Sequence, residues 1–115
     1  MKIAIVGSRK WPSPEQIKEA VQRIAQRFPD AVIVSGGARG VDTWAEQAAL
    51  EFGLTVEIYP ADWSLGRHAG FLRNQQIVDA ADRVLAFWAY GSRGTKDTID
   101  KARRAGKRVV IVKVR

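Results

Sequence analysis

Three glycine-bearing stretches of this sequence have the residue types to hold an anion. The longest, Ser35-Gly36-Gly37-Ala38-Arg39-Gly40-Val41-Asp42, follows an apolar run at residues 31–34 and precedes a helical pattern. Gly36, Gly37 and Gly40 lack a Cβ, so the backbone there can take positive φ and approach a ligand closely. A helix start after such a loop presents unpaired N–H groups and the positive end of its dipole. Arg39 adds a cation inside the loop. Gly7-Ser8-Arg9 is a shorter stretch of the same kind. Gly91-Ser92-Arg93-Gly94-Thr95 combines two glycines, two hydroxyls and a guanidinium ahead of another helix start, a donor set suited to phosphate. A glycine after a strand is often only a turn residue. Three such stretches in one chain are a stronger signal than any one of them.

A fourth stretch is Arg67-His68-Ala69-Gly70-Phe71-Leu72-Arg73-Asn74. On a helix, Gly66, Gly70, Arg73 and Asn74 lie near one face. Arg67 and Arg73 suit a phosphate or a sugar, although a solvated basic face is the plainer explanation. Of the four tryptophans, Trp44 reads as core, while Trp11, Trp63 and Trp88 fall in or beside the loops. Any of these three could stack on a base, worth about 1–3 kcal/mol, or serve as a lid or an oligomer contact.

The elements that must position these residues alternate. Apolar, β-branched runs at residues 2–6, 31–34, 54–59, 83–88 and 108–114 read as strands. Between them lie helical patterns. The first is capped by Ser13, with Pro14 at its first position and Gln16 at the capping-box position. The second runs over residues 43–52, capped by Asp42 or Thr43 and ended by Gly53. The third spans about residues 68–80, with Phe71, Leu72, Ile77 and Val78 as packing residues. The fourth spans 95–105. Strict alternation predicts one α/β domain over residues 1–115, a mostly parallel five-stranded sheet with helices on both faces. With strand order 3-2-1-4-5, assumed from the fold class, the loops gather at one edge, around the switch point between strands one and four.

Composition narrows the partners. The 115 residues suffice for one compact domain, and 46% hydrophobic content builds a core. A net charge of +7 favours anionic partners, although a basic surface serves solubility equally well. Without cysteine there is no disulfide or thiolate chemistry, and His68 alone cannot form a multi-histidine metal site. No cofactor or dedicated metal cage is identified. No apolar run approaches the ~20 residues of a membrane span. The start at Met1-Lys2 does not resemble a signal peptide, so a cytoplasmic location is expected.

The motifs GSR, SGGARGVD, RHAGFLRNQQIVD and AFWAYGSRGTKDTIDKA, in this order along the whole chain, resemble the SLOG superfamily. That Rossmann-like group links the DNA-processing protein Smf/DprA with the Lonely Guy phosphoribohydrolases. Within it, the sequence is most similar to the small stand-alone YspA-type, YpsA-related proteins of bacteria and phages. The resemblance implies a three-layer Rossmann-like sandwich and a nucleotide-type ligand. By position, it places Gly7, Ser8 and Arg9, then Gly36, Gly37, Arg39, Gly40 and Asp42, then Arg67, Arg73 and Asn74, and finally Gly91, Ser92, Gly94 and Thr95 around that ligand. It also implies pairing of two copies. Lonely Guy enzymes carry PGGxGTxxE, whose glutamate serves glycosidic cleavage. Here Thr98 stands at the glutamate position and Tyr90 at the proline.

Three functions follow. The first is binding of a nucleotide or nucleotide derivative. The second is hydrolysis of such a ligand, with Asp42 or Asp97 supplying the carboxylate that glycosidic cleavage needs; an N-cap is the alternative role for Asp42. The third is DprA-like binding of single-stranded DNA, ranked last because compact phosphate loops explain the glycines better than an open groove does.

Overall fold

The structure is a computed structural model that describes residues 1–114. Its elements run β1 (Lys2–Gly7), α1 (Pro14–Arg27), β2 (Val32–Ser35), α2 (Val41–Glu51), β3 (Thr55–Ile58), a 3₁₀ turn (Trp63–Leu65), α3 (Ala69–Ala80), β4 (Arg83–Trp88), α4 (Arg93–Arg104) and β5 (Arg108–Lys113). The five strands form one sheet in the order β3-β2-β1-β4-β5, and every neighbouring pair is parallel. The expected α/β sandwich and strand order are therefore observed.

The two-residue period of β1 divides the core. Ile3 and Ile5 pack with Ile17 and Val21 of α1 and with Val41 and Ala45 of α2. Ala4 and Val6 face the other way, onto Ile77 and Val78 of α3 and Ile99 and Ala102 of α4. Helices thus cover both faces, as a parallel sheet requires. Ser13 caps α1 by accepting the Gln16 N–H at 3.4 Å, and Pro14 opens the helix. Gln16 does not complete a capping box. Its side-chain carbonyl instead accepts from Trp11 Nε1 at 3.1 Å.

Three further sequence expectations need correction. The second helix begins at Val41, with Gly40 rather than Asp42 or Thr43 at its N-cap. Gly40 has φ 75°, and the Asp42 and Thr43 side chains turn back onto Ala38. Phe71 and Leu72 are exposed, because Ile77 and Val78 occupy the face of α3 that meets the sheet. Trp11 is 3% exposed and packs edge-on against Phe87 at 5.2 Å, so it is core and cannot stack on a ligand. Among the described residues no helix is long and apolar enough to cross a membrane.

Candidate functional site

At the C-terminal ends of β1 and β4, where the strand order reverses, the loops enclose a cavity of about 500 Å³. Gly7, Ser8 and Arg9 line it from the first loop, and Asp42 from the start of α2. Arg67, Arg73 and Asn74 line it from the α3 side, and Ser92, Gly94 and Thr95 from the start of α4. Gly36, Gly37, Arg39, Gly40, Gly91 and Asp97 stand outside the lining. Most of these belong to the second loop, and the geometry shows what its glycines do.

They make room for protein. A Cβ on Gly36 would stand 2.6 Å from Arg73 Nη1 and 3.0 Å from Asp42 Oδ2. A Cβ on Gly40 would stand 2.6 Å from the Arg9 carbonyl oxygen, and one on Gly7 would meet Val41 and the Phe87 carbonyl at 2.6 and 2.7 Å. Gly40 thus admits the Arg9 backbone, Gly7 admits Val41 and the Phe87 carbonyl, and Gly36 leaves space for the Arg73 guanidinium. Gly94 is the opposite case: it lines the cavity, and a Cβ there would meet nothing within 4 Å. Of the predicted glycines in the cavity wall, it leaves the most open approach for a ligand.

Polar contacts tie the loops into one unit. The buried Ser8 hydroxyl donates to the Ala89 carbonyl and accepts the Ala89 N–H, both at 2.9 Å, joining the loops after β1 and β4. Arg73 Nη1 donates to the Gly36 carbonyl at 2.5 Å, and its Nε donates to Asn74 Oδ1 at 3.1 Å. Asn74 Nδ2 donates to Asp97 Oδ2 at 3.0 Å and to the Gly94 carbonyl at 3.3 Å. Lys101 holds the same Asp97 oxygen at 2.6 Å. Asp97 thus faces Asn74 and Lys101, and α3 bridges the second loop to the start of α4.

The start of α4 gathers hydroxyls and backbone amides at the cavity wall. Ser92 Oγ accepts the Thr95 N–H at 3.3 Å and lies 3.0 Å from Thr95 Oγ1. Thr98 Oγ1 donates to the Gly94 carbonyl at 3.2 Å. The cap takes the Thr95 amide, while those of Arg93 and Gly94 have no intrahelical acceptor and carry the positive end of the dipole.

Asp42 is the buried carboxylate of the cavity wall, 5% exposed. Burial pushes its pKa from the ordinary 3.8 to about 6, against the opposing Ala38 N–H and the Arg73 charge, while Glu46 raises it further. Burial lowers the Arg73 pKa, Asp42 opposes that, and Arg9 adds to it. A carboxylate that titrates near neutrality beside a guanidinium is suited to proton transfer.

The cavity mouth contains residues that the sequence did not single out for the site. Phe71 and Tyr90 join Trp63 in the lining; Trp63 is 58% exposed and Tyr90 69%. Trp63 lies over Gly70, where a Cβ would approach its indole to 3.4 Å. Tyr90 has φ 54°, rare for a bulky residue. That tyrosine stands between an apolar strand and a Gly-Ser-Arg-Gly turn, and this placement was the available signal. Trp88 is tied down instead, with Nε1 donating to the Ser92 carbonyl at 3.0 Å. Among the described residues, no three His, Asp or Glu side chains cluster as metal ligands would.

A family model described as YAcAr, the YspA, cpYpsA-related SLOG family, matches residues 1–66. The chain belongs to this SLOG family. The matched stretch holds the first two loops and the 3₁₀ turn; the α3 and α4 contributions lie beyond it. Two solved structures share the SLOG chain's fold. DNA processing protein A from Helicobacter pylori, whose structural study describes a single-stranded DNA binding mode, superposes with TM-score 0.78 at 23% identity. That match covers 100% of this chain and 66% of the other. DprA from Streptococcus pneumoniae gives TM-score 0.59 at 21% identity, over 95% of this chain and 58% of the other. This chain thus spans less than two thirds of either. No curated protein matches it.

Proposed function

We propose that this SLOG chain is one nucleotide-binding domain, and that the cavity takes a single nucleotide or nucleotide derivative. The observation that carries this reading is the two-ended lining. Gly94, Thr95 and the α4 N-terminus supply donors at one side, and Trp63, Phe71 and Tyr90 supply aromatic surface at the mouth. A volume of about 500 Å³ falls in the range of small-molecule sites. The phosphate sits at the start of α4, Arg73 supplies a cation, and the base packs on the aromatic rim. The exposed Leu65 and Leu72 nearby support pairing of two copies.

Two further readings each have an observation in their favour. Asp42, buried in the wall and titrating near neutrality, suits hydrolysis of the bound nucleotide, as acid or base. The likeness to Helicobacter pylori DprA favours a nucleotide within single-stranded DNA. A thermal-shift panel of nucleoside mono-, di- and triphosphates, NAD, ADP-ribose, cyclic nucleotides and a short oligonucleotide separates them. A ligand at 100 times its dissociation constant adds ~2.7 kcal/mol. A rise with one nucleotide class, lost in Arg73→Ala, is the expected result. Released base or phosphate in that mixture adds catalysis. A rise from the oligonucleotide alone, collapsing with salt, moves the site to DNA. No rise from any of them refutes all three.

A further inference from the structure

The cavity occupies one end of the sheet. At the opposite end three arginines from three elements converge: Arg27 in the last turn of α1, and Arg83 and Arg108 at the first positions of β4 and β5. They line a depression of about 330 Å³ with Phe28, Val84 and Val110. Arg83 and Arg108 are register partners on adjacent strands. The guanidinium carbons of Arg27 and Arg83 lie 5.6 and 5.8 Å from the centre of the same Phe28 ring. One aromatic ring therefore anchors two cations, and a third stands beside them.

Like charges at paired sheet positions are destabilising, and a neighbouring carboxylate is the usual relief. None serves here. Among the described residues no ion pair includes any of the three arginines. Asp82, adjacent to Arg83 in sequence, is committed elsewhere, accepting the Lys2 N–H at 2.7 Å. Among the described residues, this concentration of charge has no ion-pair partner.

We propose that this cluster is a second anion site, separate from the cavity, and that it takes a phosphate group. Guanidinia steadied by a ring present N–H donors in a fork that matches phosphate oxygens. The apolar residues between them accept whatever the phosphate is attached to. That chemistry is shared by a free polyphosphate and by the backbone of a nucleic-acid strand.

The test uses the full ¹⁵N-labelled chain, titrated separately with inorganic tripolyphosphate and with an oligothymidylate. The amides of Phe28, Val84 and Val110 report this site, and those of Ser8 and Gly94 report the cavity. Saturable shifts of the first set are expected. They weaken about tenfold or more in Arg83→Gln/Arg108→Gln, as for a lost charged hydrogen bond, while any cavity response stays. Without anion, the double variant melts at or above the parent temperature, because repulsion has been removed. Arg27→Gln, at an exposed helix end, gives the same binding result if the double variant folds poorly. A response to tripolyphosphate alone identifies a small polyphosphate ligand, and one to the oligonucleotide alone identifies a strand. Shifts that never saturate, or that persist unchanged in these variants, overturn the proposal. Neither outcome depends on whether the cavity binds a nucleotide.

Discussion

Replacing Asp42 with asparagine should stabilise the free protein near neutral pH and flatten its response to acid. Burial raises the Asp42 pKa from 3.8 to about 6, so the folded protein holds this proton more tightly than the unfolded chain. The resulting stabilisation is complete below the unfolded value and is lost as pH rises through about 6. At neutral pH the ionised carboxylate thus carries a penalty of about 3 kcal/mol, at about 1.4 kcal/mol per pH unit. Asparagine removes that penalty, in which the Arg73 attraction is already included, but replaces an acceptor oxygen with an NH₂ that itself needs an acceptor. Those losses are about 1–2 kcal/mol, so the net gain is about 1–2 kcal/mol, or roughly 5 °C in melting temperature for a chain of this size. The pH series is the cleaner measurement, because the offsets stay nearly constant across it. Urea denaturation of both proteins should show the variant's advantage growing by about 2 kcal/mol between about pH 4 and about pH 7. A difference that does not change with pH would mean that Asp42 titrates as an ordinary surface carboxylate and that burial does not raise its pKa.

Gly94→Asp should fold with unchanged or slightly raised stability, because its Cβ meets open space and an acid in the first turn of α4 suits the dipole. The same carboxylate would repel a phosphate, and calorimetry should show nucleotide affinity falling about 100-fold, the upper end of one lost charged contact plus repulsion. Trp63→Ala should leave the melting temperature nearly unchanged, since the side chain is mostly exposed, yet cost about 1–3 kcal/mol of base binding. Ser8→Ala removes one buried donor and one acceptor partner of Ala89 and should destabilise by about 2 kcal/mol in chemical denaturation, whatever the ligand.

Where local chemistry decides, the sequence is a sufficient guide. Ser13-Pro14 fixes the start of α1, and the apolar run at Arg83–Trp88 is β4 as expected. The switch-point cavity follows from alternation and parallel pairing. The roles inside it do not, because each depends on what a distant segment brings close. Gly36 and Gly40 read as ligand-facing glycines, and only the packing of Arg73 and Arg9 against them makes them spacers. Asp42 and Thr43 have the right chemistry for an N-cap, but their nearest free partners are on Ala38. Trp11 and Trp63 are equivalent in composition and loop context; Phe87 packs against one, and the other is mostly exposed. The basic cluster at the far end of the sheet was invisible for a similar reason. Its members are far apart in the chain, and strand register alone makes Arg83 and Arg108 neighbours.

The Ser8–Ala89 pair and the glycines packed against Arg9 and Arg73 have a consequence for how this domain can diversify. A floor braced in this way resists change one residue at a time, since a side chain at Gly7 meets Val41 and the Phe87 carbonyl, one at Gly40 meets the Arg9 backbone, and one at Gly36 displaces the Arg73 guanidinium. Trp63, Arg67, Phe71 and Tyr90 have no such constraint: all are exposed and all line the cavity. New ligand preferences in domains of this type should therefore arise through substitutions at the rim, while the floor keeps its sequence across proteins that recognise different molecules.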